Sequence, residues 1–342
     1  MGKKALVISG GGCKGAFAVG VIKQLANTFP EITFDIFVGT STGSLIAPFA
    51  ALEEIDKLEK LYTTVTTDNI ITKGNVLARL LTDTSIFDAK PLANLIKQHY
   101  DDALVNKLLQ GEKEIYLATT CLQTGKAVYF GTHEGPMVTD YEVVKMSTPD
   151  EFRRAVMASS CQPVFMPPIE VQKGAKPIRQ YVDGGVREYA GIQLAIDAGA
   201  DEIFAILLSP EKDMVTDKEF TSAFDILSHT IDIFTTDVGA NDIKGPAFYN
   251  RTLRYLDAVK KKMLAGGVKQ ADIDKYFNIE MSNPFSGKKT LKLHVIRPDG
   301  PLGGGPGGLD FNPADMKGML AKGSKQIGEY MANLPADGSG NV

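Results

Sequence analysis

Short apolar runs alternate with longer segments of helical periodicity along this chain, and their order predicts its secondary structure. The first run, Lys4 to Ser9, indicates a buried strand that leads through a glycine-rich turn into a helix from about Ala16 to Phe29. A second run, Phe34 to Val38, leads through another glycine-rich turn into a helix from Ser44 to Leu52. The chain therefore opens with two strand-turn-helix units.

The later pattern continues this alternation. Apolar runs at Ile115–Thr120 and Ala127–Phe130 enclose a glycine-bearing turn and predict a hairpin. Further elements are predicted as strands at Ile178–Val182, Ile203–Leu208 and Leu291–Ile296, helices at Ile192–Ala198 and Pro313–Ala332, and mostly helical regions at about 53–109 and 220–277. Strands that alternate with helices in this way predict an α/β fold.

The length of the chain allows one large domain or two smaller ones. It has 342 residues, of which 44% are hydrophobic, which is enough to bury a sizeable core. Since neither a Pro/Ser-rich linker nor a charge block divides it, we predict a single domain over residues 1–334. Within it, regions 53–109 and 220–277 are expected to form a helical cap or insertions, and residues 335–342 a flexible tail.

Charge and cysteine content exclude several classes of protein. The net charge of -4 gives no electrostatic reason to expect nucleic acid as a partner. Cys13, Cys121 and Cys161 lack both the CxxC spacing of a metal site and the even count of a disulfide framework, so we expect a cytoplasmic protein without a metal. No apolar run approaches the roughly 20 residues that cross a bilayer, so any membrane contact should be peripheral.

A cluster of basic residues lies in the second helical region. It contains Arg251, Arg254 and Lys260 to Lys262. Basic helical surfaces are common, so the sequence favours a solvated face over contact with membrane phosphates.

The first glycine-rich turn offers two interpretations. Gly10, Gly12 and Gly15 satisfy GxGxxG between a predicted strand and a helix, which alone suggests a nucleotide-binding oxidoreductase. Such proteins usually carry an acidic residue at the end of the second strand, where this chain has Ser41. The other interpretation is a nest of backbone N–H groups at a helix start, which stabilises a developing oxyanion. That nest would contain Gly10, Gly11, Gly12, Cys13, Lys14 and Gly15.

The second turn has the GxSxG pattern of a nucleophile elbow. Gly39 and Gly43 enclose Ser41 where a predicted strand passes into a helix. Glycines remove side chains that would collide in the sharp turn, and the N–H of Thr42 can face an oxyanion. The competing interpretation is a glycine turn with an incidental serine. A nucleophilic serine needs a base, and none of the four histidines has a recognisable catalytic context.

A carboxylate offers another base. Asp183, Gly184 and Gly185 follow a predicted strand, and Asp-Gly pairs by themselves mark ordinary turns. At a strand end, however, the two glycines allow the carboxylate to approach a neighbouring backbone and point at a serine hydroxyl.

Together, GGGCKG, GTSTG and DGG in this order resemble the patatin-like phospholipase family. The resemblance extends through Ala118–Gly125, Ala158–Pro168, Tyr181–Glu202 and Leu309–Phe311. It implies a patatin-like three-layer α/β/α fold with a mainly parallel central sheet and additional covering helices. It also implies Ser41 as nucleophile, Asp183 as its sole protein partner and the Gly10 to Gly15 loop as oxyanion hole, without a metal or cofactor.

Two departures from the family pattern concern local structure. Lys14 stands where many members carry Arg, which keeps the positive charge but loses the planar guanidinium. Tyr189 to Ile192 replaces the commoner Asn-Pro type pairing after DGG.

The resemblance implies a lipid ester as substrate. A phospholipid, a lysophospholipid or an acylglycerol would each fit this expectation. Two alternatives stay open: an acyl transferase that uses the same acyl-serine, and a non-catalytic lipid-binding protein that retains the fold. The sequence does not predict an oligomeric state.

Overall fold

The computed structural model describes residues 2–74, 79, 82–211, 217, 219–278, 285, 288–335 and 340–342. The strands among them are β1 (Lys3–Ile8), β2 (Ile36–Thr40), β3 (Thr72–Lys73), β4 (Phe87–Asp88), β5 (Glu114–Cys121), β6 (Ala127–Gly131), β7 (Tyr141–Lys145), β8 (Tyr181–Asp183), β9 (Ala200–Ile206) and β10 (Lys292–Ile296).

The helices are α1 (Gly15–Thr28), α2 (Thr42–Ala51), α3 (Ile55–Thr64), α4 (Lys90–His99), α5 (Asp102–Gln110), α6 (Pro149–Ser160), α7 (Ile192–Asp197), α8 (Ala223–Ala265), α9 (Gln270–Phe277) and α10 (Pro313–Ala332). Short 3-10 turns lie at Gly12–Lys14, Thr67–Asn69, Gly184–Val186 and Pro306–Gly308. Within the described residues, none of the helices is long and apolar enough to cross a membrane.

The central sheet has eight strands in the order β10-β9-β1-β2-β5-β6-β7, and β8 pairs with β5. The five strands from β10 to β5 run parallel to their neighbours, as do β6 and β7. Among the described strands of this sheet, β5 pairs antiparallel with β6 and with β8. The predicted α/β fold with a mainly parallel sheet is therefore confirmed.

Both faces of the sheet are buried, which explains why its strands are continuous apolar runs. Along β1, Leu6 and Ile8 face one apolar core, whereas Ala5 and Val7 face the other. The first core is built with α1 to α6 and α10, and the second with α7 and Ile243 of α8. These two helical layers and the sheet form the three-layer arrangement.

Several predicted boundaries differ from the observed ones. The region 53–109 contains α3, α4 and α5 but also the short hairpin β3–β4, and its residues 75–78, 80 and 81 lie outside the described part. Strand β8 begins at Tyr181 and not at Ile178, because its partner β5 ends at Cys121, opposite Tyr181. β7 and α6 had no counterpart in the sequence prediction.

The last residues lie against β10. The side chain of Asn341 accepts the N–H of Val295 at 2.8 Å and donates to its carbonyl at 3.0 Å. Residues 336–339 of the predicted flexible tail lie outside the described part.

Candidate active site

Ser41 lies at the sharp turn between β2 and α2 and has a strained backbone. Its φ of 55° and ψ of -121° are unusual for a residue with a side chain. Close packing enforces the turn: a Cβ on Gly39 would lie 2.3 Å from the carbonyl oxygen of Gly43, and a Cβ on Gly43 would lie 2.2 Å from that of Ile8. Both glycines of GTSTG are therefore required for α2 to approach the sheet.

Ser159 of α6 supports this turn. The N–H of Ser41 donates to the buried hydroxyl of Ser159 at 3.0 Å, and the hydroxyl of Ser44 donates to the carbonyl of Ser41 at 2.6 Å. No role was predicted for Ser159 from the sequence. A usable signal was present, because Thr148 and Glu151 form a capping box that marks the start of α6.

Asp183 ends β8 and is 7% exposed. Its Oδ1 accepts the N–H of Gly185 at 2.8 Å, and its own N–H donates to the carbonyl of Cys161 at 2.9 Å. The next residue is Gly184, and a Cβ on it would lie 2.6 Å from the carbonyl oxygen of Ala118. Gly184, the first glycine of the DGG motif, thus lets this chain segment lie directly on β5.

Ser41 and Asp183 line the same cleft, which has an empty volume of about 400 Å³. Burial raises the pKa of Asp183 to about 6, although the Ser41 hydroxyl and the Gly185 N–H both favour the charged form. The carboxylate is therefore more basic than an ordinary aspartate yet mostly ionised at neutral pH. A buried base that faces a hydroxyl is suited to accept its proton.

The first glycine-rich turn lies beside Ser41, and only part of it offers free donors. The N–H of Gly10 donates to the carbonyl of Tyr189 at 3.3 Å, and that of Lys14 to the carbonyl of Gly11 at 3.2 Å. The N–H of Gly15 is bonded within the turn as well. The amides of Gly10, Lys14 and Gly15 are thus occupied by backbone carbonyls.

Other amides beside Ser41 are open to an oxyanion. Within the described residues, the N–H groups of Gly11 and Gly12 have no hydrogen-bond acceptor. Thr42 is the first residue of α2, so its N–H has no acceptor within that helix. Gly12 and Thr42 line the cleft together with Ser41. The Cys13 side chain points elsewhere and is fully buried, and burial raises its thiol pKa to about 11.

Lys14 lies within electrostatic reach of Asp232 on α8. Burial raises the pKa of Asp232, and the positive charge of Lys14 opposes that increase. The same carboxylate accepts the N–H of Gly307 at 3.3 Å, and Gly307 lines the cleft. The positive charge of Lys14 thus acts on a carboxylate that is bonded to the border of the cleft.

Asp242 of α8 holds the loop that supports Gly10. Its Oδ2 accepts the N–H groups of Tyr189 and Ala190, both at 2.8 Å. The carbonyl of Tyr189 in turn accepts the N–H of Gly10, whose Cβ would lie 3.2 Å from the Cβ of Ser41. The sequence did not identify Asp242, because an acidic residue within a long helical segment is not distinctive.

None of the four histidines lines the cleft that contains Ser41. His99 lines a neighbouring cavity, and His294 is buried between Tyr330 and Glu202. Among the described residues, Asp183 is therefore the one titratable side chain that lines the cleft together with Ser41.

An apolar cavity of about 520 Å³ adjoins the cleft. Four side chains line both spaces: Leu45, Ile70, Leu92 and Phe311. Beyond them, the cavity continues between α2, α3 and α4, where Leu61, Leu95 and Ile96 contribute to its walls. The cleft at Ser41 and this cavity, here called the apolar slot, thus share four of their lining side chains.

Two known proteins are similar to parts or to most of this chain. A protein described as a cUMP-AMP-activated phospholipase from Escherichia coli is 39% identical over 64 residues, which are 18% of this chain and 20% of that protein. The match thus spans about one fifth of that relative. The solved structure of VipD from Legionella pneumophila aligns with 96% of this chain and 66% of its own, at 12% identity and a TM-score of 0.41.

A family model described as patatin-like phospholipase matches residues 6–196. The matched segment contains the glycine-rich turn, the elbow at Ser41 and the DGG turn at Asp183. It covers more than half of the chain, and this protein therefore belongs to the patatin-like phospholipase family.

Proposed function

We propose that this chain hydrolyses carboxylic esters of lipids through an acyl-serine intermediate, with Ser41 as nucleophile and Asp183 as its base. Family membership supports a lipid acyl hydrolase in general. The observation that carries the specific proposal is the shared cleft: a buried carboxyl group with a raised pKa faces the hydroxyl of a strained elbow.

In the first half of the reaction, the Asp183 carboxylate removes the hydroxyl proton of Ser41 as its oxygen attacks the ester carbonyl carbon. The carbonyl oxygen becomes an oxyanion, which the N–H groups of Gly11, Gly12 and Thr42 stabilise. When the tetrahedral intermediate collapses, the alcohol leaves with the proton that Asp183 now carries. The acyl group remains on Ser41.

In the second half, Asp183 accepts a proton from water, which attacks the acyl-serine carbonyl. Collapse of this second intermediate releases the fatty acid, and the proton returns from Asp183 to the Ser41 oxygen. A single carboxylate can perform both steps, because burial keeps its pKa between that of an ordinary aspartate and neutrality.

The apolar slot supplies a place for one acyl chain. Its walls beyond Leu45 and Leu92 are almost entirely hydrocarbon and aromatic, so a fatty acyl chain gains free energy by leaving water there. The ester carbonyl of that chain would then lie at Ser41. We therefore expect phospholipids, lysophospholipids or acylglycerols to be substrates in preference to short polar esters.

A panel of these lipid esters tests the proposal. Wild type should release free fatty acid from at least one class, identified by mass spectrometry, whereas Ser41→Ala should release none. A glycerol or lysolipid acceptor added to the same assay distinguishes hydrolysis from acyl transfer, because a transferase would yield the new ester in place of free acid. Equal turnover by wild type and Ser41→Ala would contradict the proposal.

A further inference from the structure

Helix α8 presents two faces of different chemistry. Asp232, Thr235, Gly239 and Asp242 recur at the helical spacing and face the loops of the active site. Gly307 bonds to Asp232, a Cβ on Gly185 would lie 3.5 Å from Thr235, and one on Gly239 would lie 2.5 Å from the Tyr189 ring. This inner face is thus fixed against the catalytic loops.

The opposite face of the same helix is exposed and rich in apolar side chains. They have no covering element within the described residues and are Ile226 (53% exposed), Ile233 (49%), Phe234 (62%), Phe248 (58%) and Tyr255 (68%). Exposed aromatic residues at this density along one helix are unusual for a face in contact only with water.

Cations lie between these apolar residues. Lys244, Phe248, Arg251, Tyr255 and Lys262 follow each other at spacings of three, four or seven, so they form one stripe. All of them are exposed, and the three cations make no ion pair within the described part of the chain. The exposed carboxylate of Asp237 lies on the same side of the helix, seven residues before Lys244. This face therefore carries three cations and one anion, and it is net positive on a protein whose net charge is -4.

We propose that this outer stripe of α8, from Ile226 to Lys262, docks the protein on an anionic lipid surface. An interfacial helix buries apolar side chains at the level of the headgroups, and its cations contact lipid phosphates. The combination of aromatic residues and unpaired cations on one exposed face matches both requirements. The stripe thus gives Arg251 and Lys262 of the basic cluster a role beyond that of a solvated face.

Docking through this face would place the proposed enzyme on the surface that contains its lipid substrate, so this inference rests in part on the proposed function. The inner face of α8 contacts the loops at Gly185, Tyr189 and Gly307, so the catalytic loops lie close to the helix that meets the lipid. A lipid ester would then reach the enzyme from the surface to which it is bound. This membrane contact would be peripheral, because α8 is amphipathic and is not apolar enough to cross a membrane.

Vesicle flotation with purified protein tests the proposal. Ser41→Ala serves as the parent, so that hydrolysis does not alter the vesicles. The parent should bind phosphatidylcholine vesicles that contain phosphatidylserine, bind pure phosphatidylcholine much less, and be released by salt. Lys244→Glu with Arg251→Glu should lower binding at least about tenfold, and Phe248→Ala with Tyr255→Ala should lower it on both kinds of vesicle.

Lys317→Glu with Lys322→Glu is the matched control, because it makes the same charge change at exposed positions of α10. This control should bind like the parent. Equal loss in the control, equal binding by the α8 variants, or a concentration-dependent dimer that the α8 variants abolish would each overturn the lipid-docking proposal.

The outcome also separates docking from catalysis. Hydrolysis of a water-soluble ester by protein with an intact Ser41 should be unchanged by the α8 substitutions. If the protein binds vesicles through α8 but hydrolyses no ester, the proposed function is wrong and the docking surface stands. If it hydrolyses lipids while the α8 variants bind vesicles as the parent does, the docking surface is wrong and the proposed function stands.

Discussion

Asp183 and Thr119 lie directly opposite each other where β8 pairs with β5. The preceding residue of β5, Ala118, lies opposite Thr40, the last residue of β2. At both of these positions, the other edge of β5 is paired with β6. Strands β2 and β8 therefore lie on the same edge of β5, and the end of β2 meets the end of β8. Sheet register thus brings a carboxylate next to Ser41, although the two residues lie far apart in sequence.

The pH dependence of activity should report the Asp183 carboxyl group. Its pKa is raised to about 6 by burial, and only the ionised form can accept a proton from Ser41. We expect kcat/KM for a water-soluble ester to be level above about pH 6 and to fall roughly tenfold per pH unit below it. Burial also raises the pKa of Asp242 to about 6, so Asp242→Asn is the control. If that variant loses the acidic limb, the limb does not belong to Asp183.

Gly43→Ala should disrupt the elbow. The added Cβ would lie 2.2 Å from the backbone carbonyl of Ile8, so α2 has to move away from β1. We expect a loss of about 2 kcal/mol or more in the free energy of unfolding, together with loss of activity. Gly328→Ala in α10 is the control, because no atom lies near its added Cβ, and it should be neutral or stabilising. Unchanged stability and activity of Gly43→Ala would contradict the described packing.

Asp242 should act on the rate through the loop that it holds. Asp242→Ala removes the acceptor of the Tyr189 and Ala190 N–H groups and should lower kcat about tenfold or more, with KM nearly unchanged. Asp242→Asn should restore most of the rate, because an amide oxygen also accepts both N–H groups. Asp237→Ala, on an exposed part of the same helix, should resemble wild type. Equal rates for Asp242→Ala and wild type would remove this positioning role.

The apolar slot should set the preferred acyl length. Leu95 lines the far part of the slot but not the cleft at Ser41, so Leu95→Trp should shorten the space for the chain. We expect preference to shift toward shorter acyl esters, measured as the ratio of kcat/KM for long and short chains. Ala93→Trp adds the same group at an exposed position of α4 and should leave that ratio unchanged. A constant ratio in Leu95→Trp would exclude the slot as the acyl site.

The parts of the site that the sequence predicted are those with strict backbone requirements. The turns at Gly39 to Gly43 and at Asp183 to Gly185 need glycine where a Cβ would strike a carbonyl, so they leave a recognisable pattern. The apolar runs of β1 and β2 are equally recognisable, because both faces of the sheet are buried.

The contacts that the sequence did not predict join distant elements, and they are made by residue types that occur throughout the chain. The bonds from Ser41 to Ser159 and from Asp242 to the loop at Tyr189 depend on where α6 and α8 pack, which local periodicity does not specify. The same holds for the oxyanion donors. GxGxxG predicts the turn, but only the backbone course shows that the Gly10 amide is bonded to Tyr189 whereas the Gly11 and Gly12 amides are free.

Covalent labelling by a fluorophosphonate, followed by peptide mass spectrometry, tests the central claim most directly. Wild type should carry one adduct on the peptide that contains Ser41, and Ser41→Ala should carry none while keeping its thermal unfolding profile. Asp183→Asn should be labelled at least about a hundredfold more slowly, since the hydroxyl loses its base. Labelling of Ser41→Ala at the wild-type rate, or of Asp183→Asn without delay, would contradict the proposed pair.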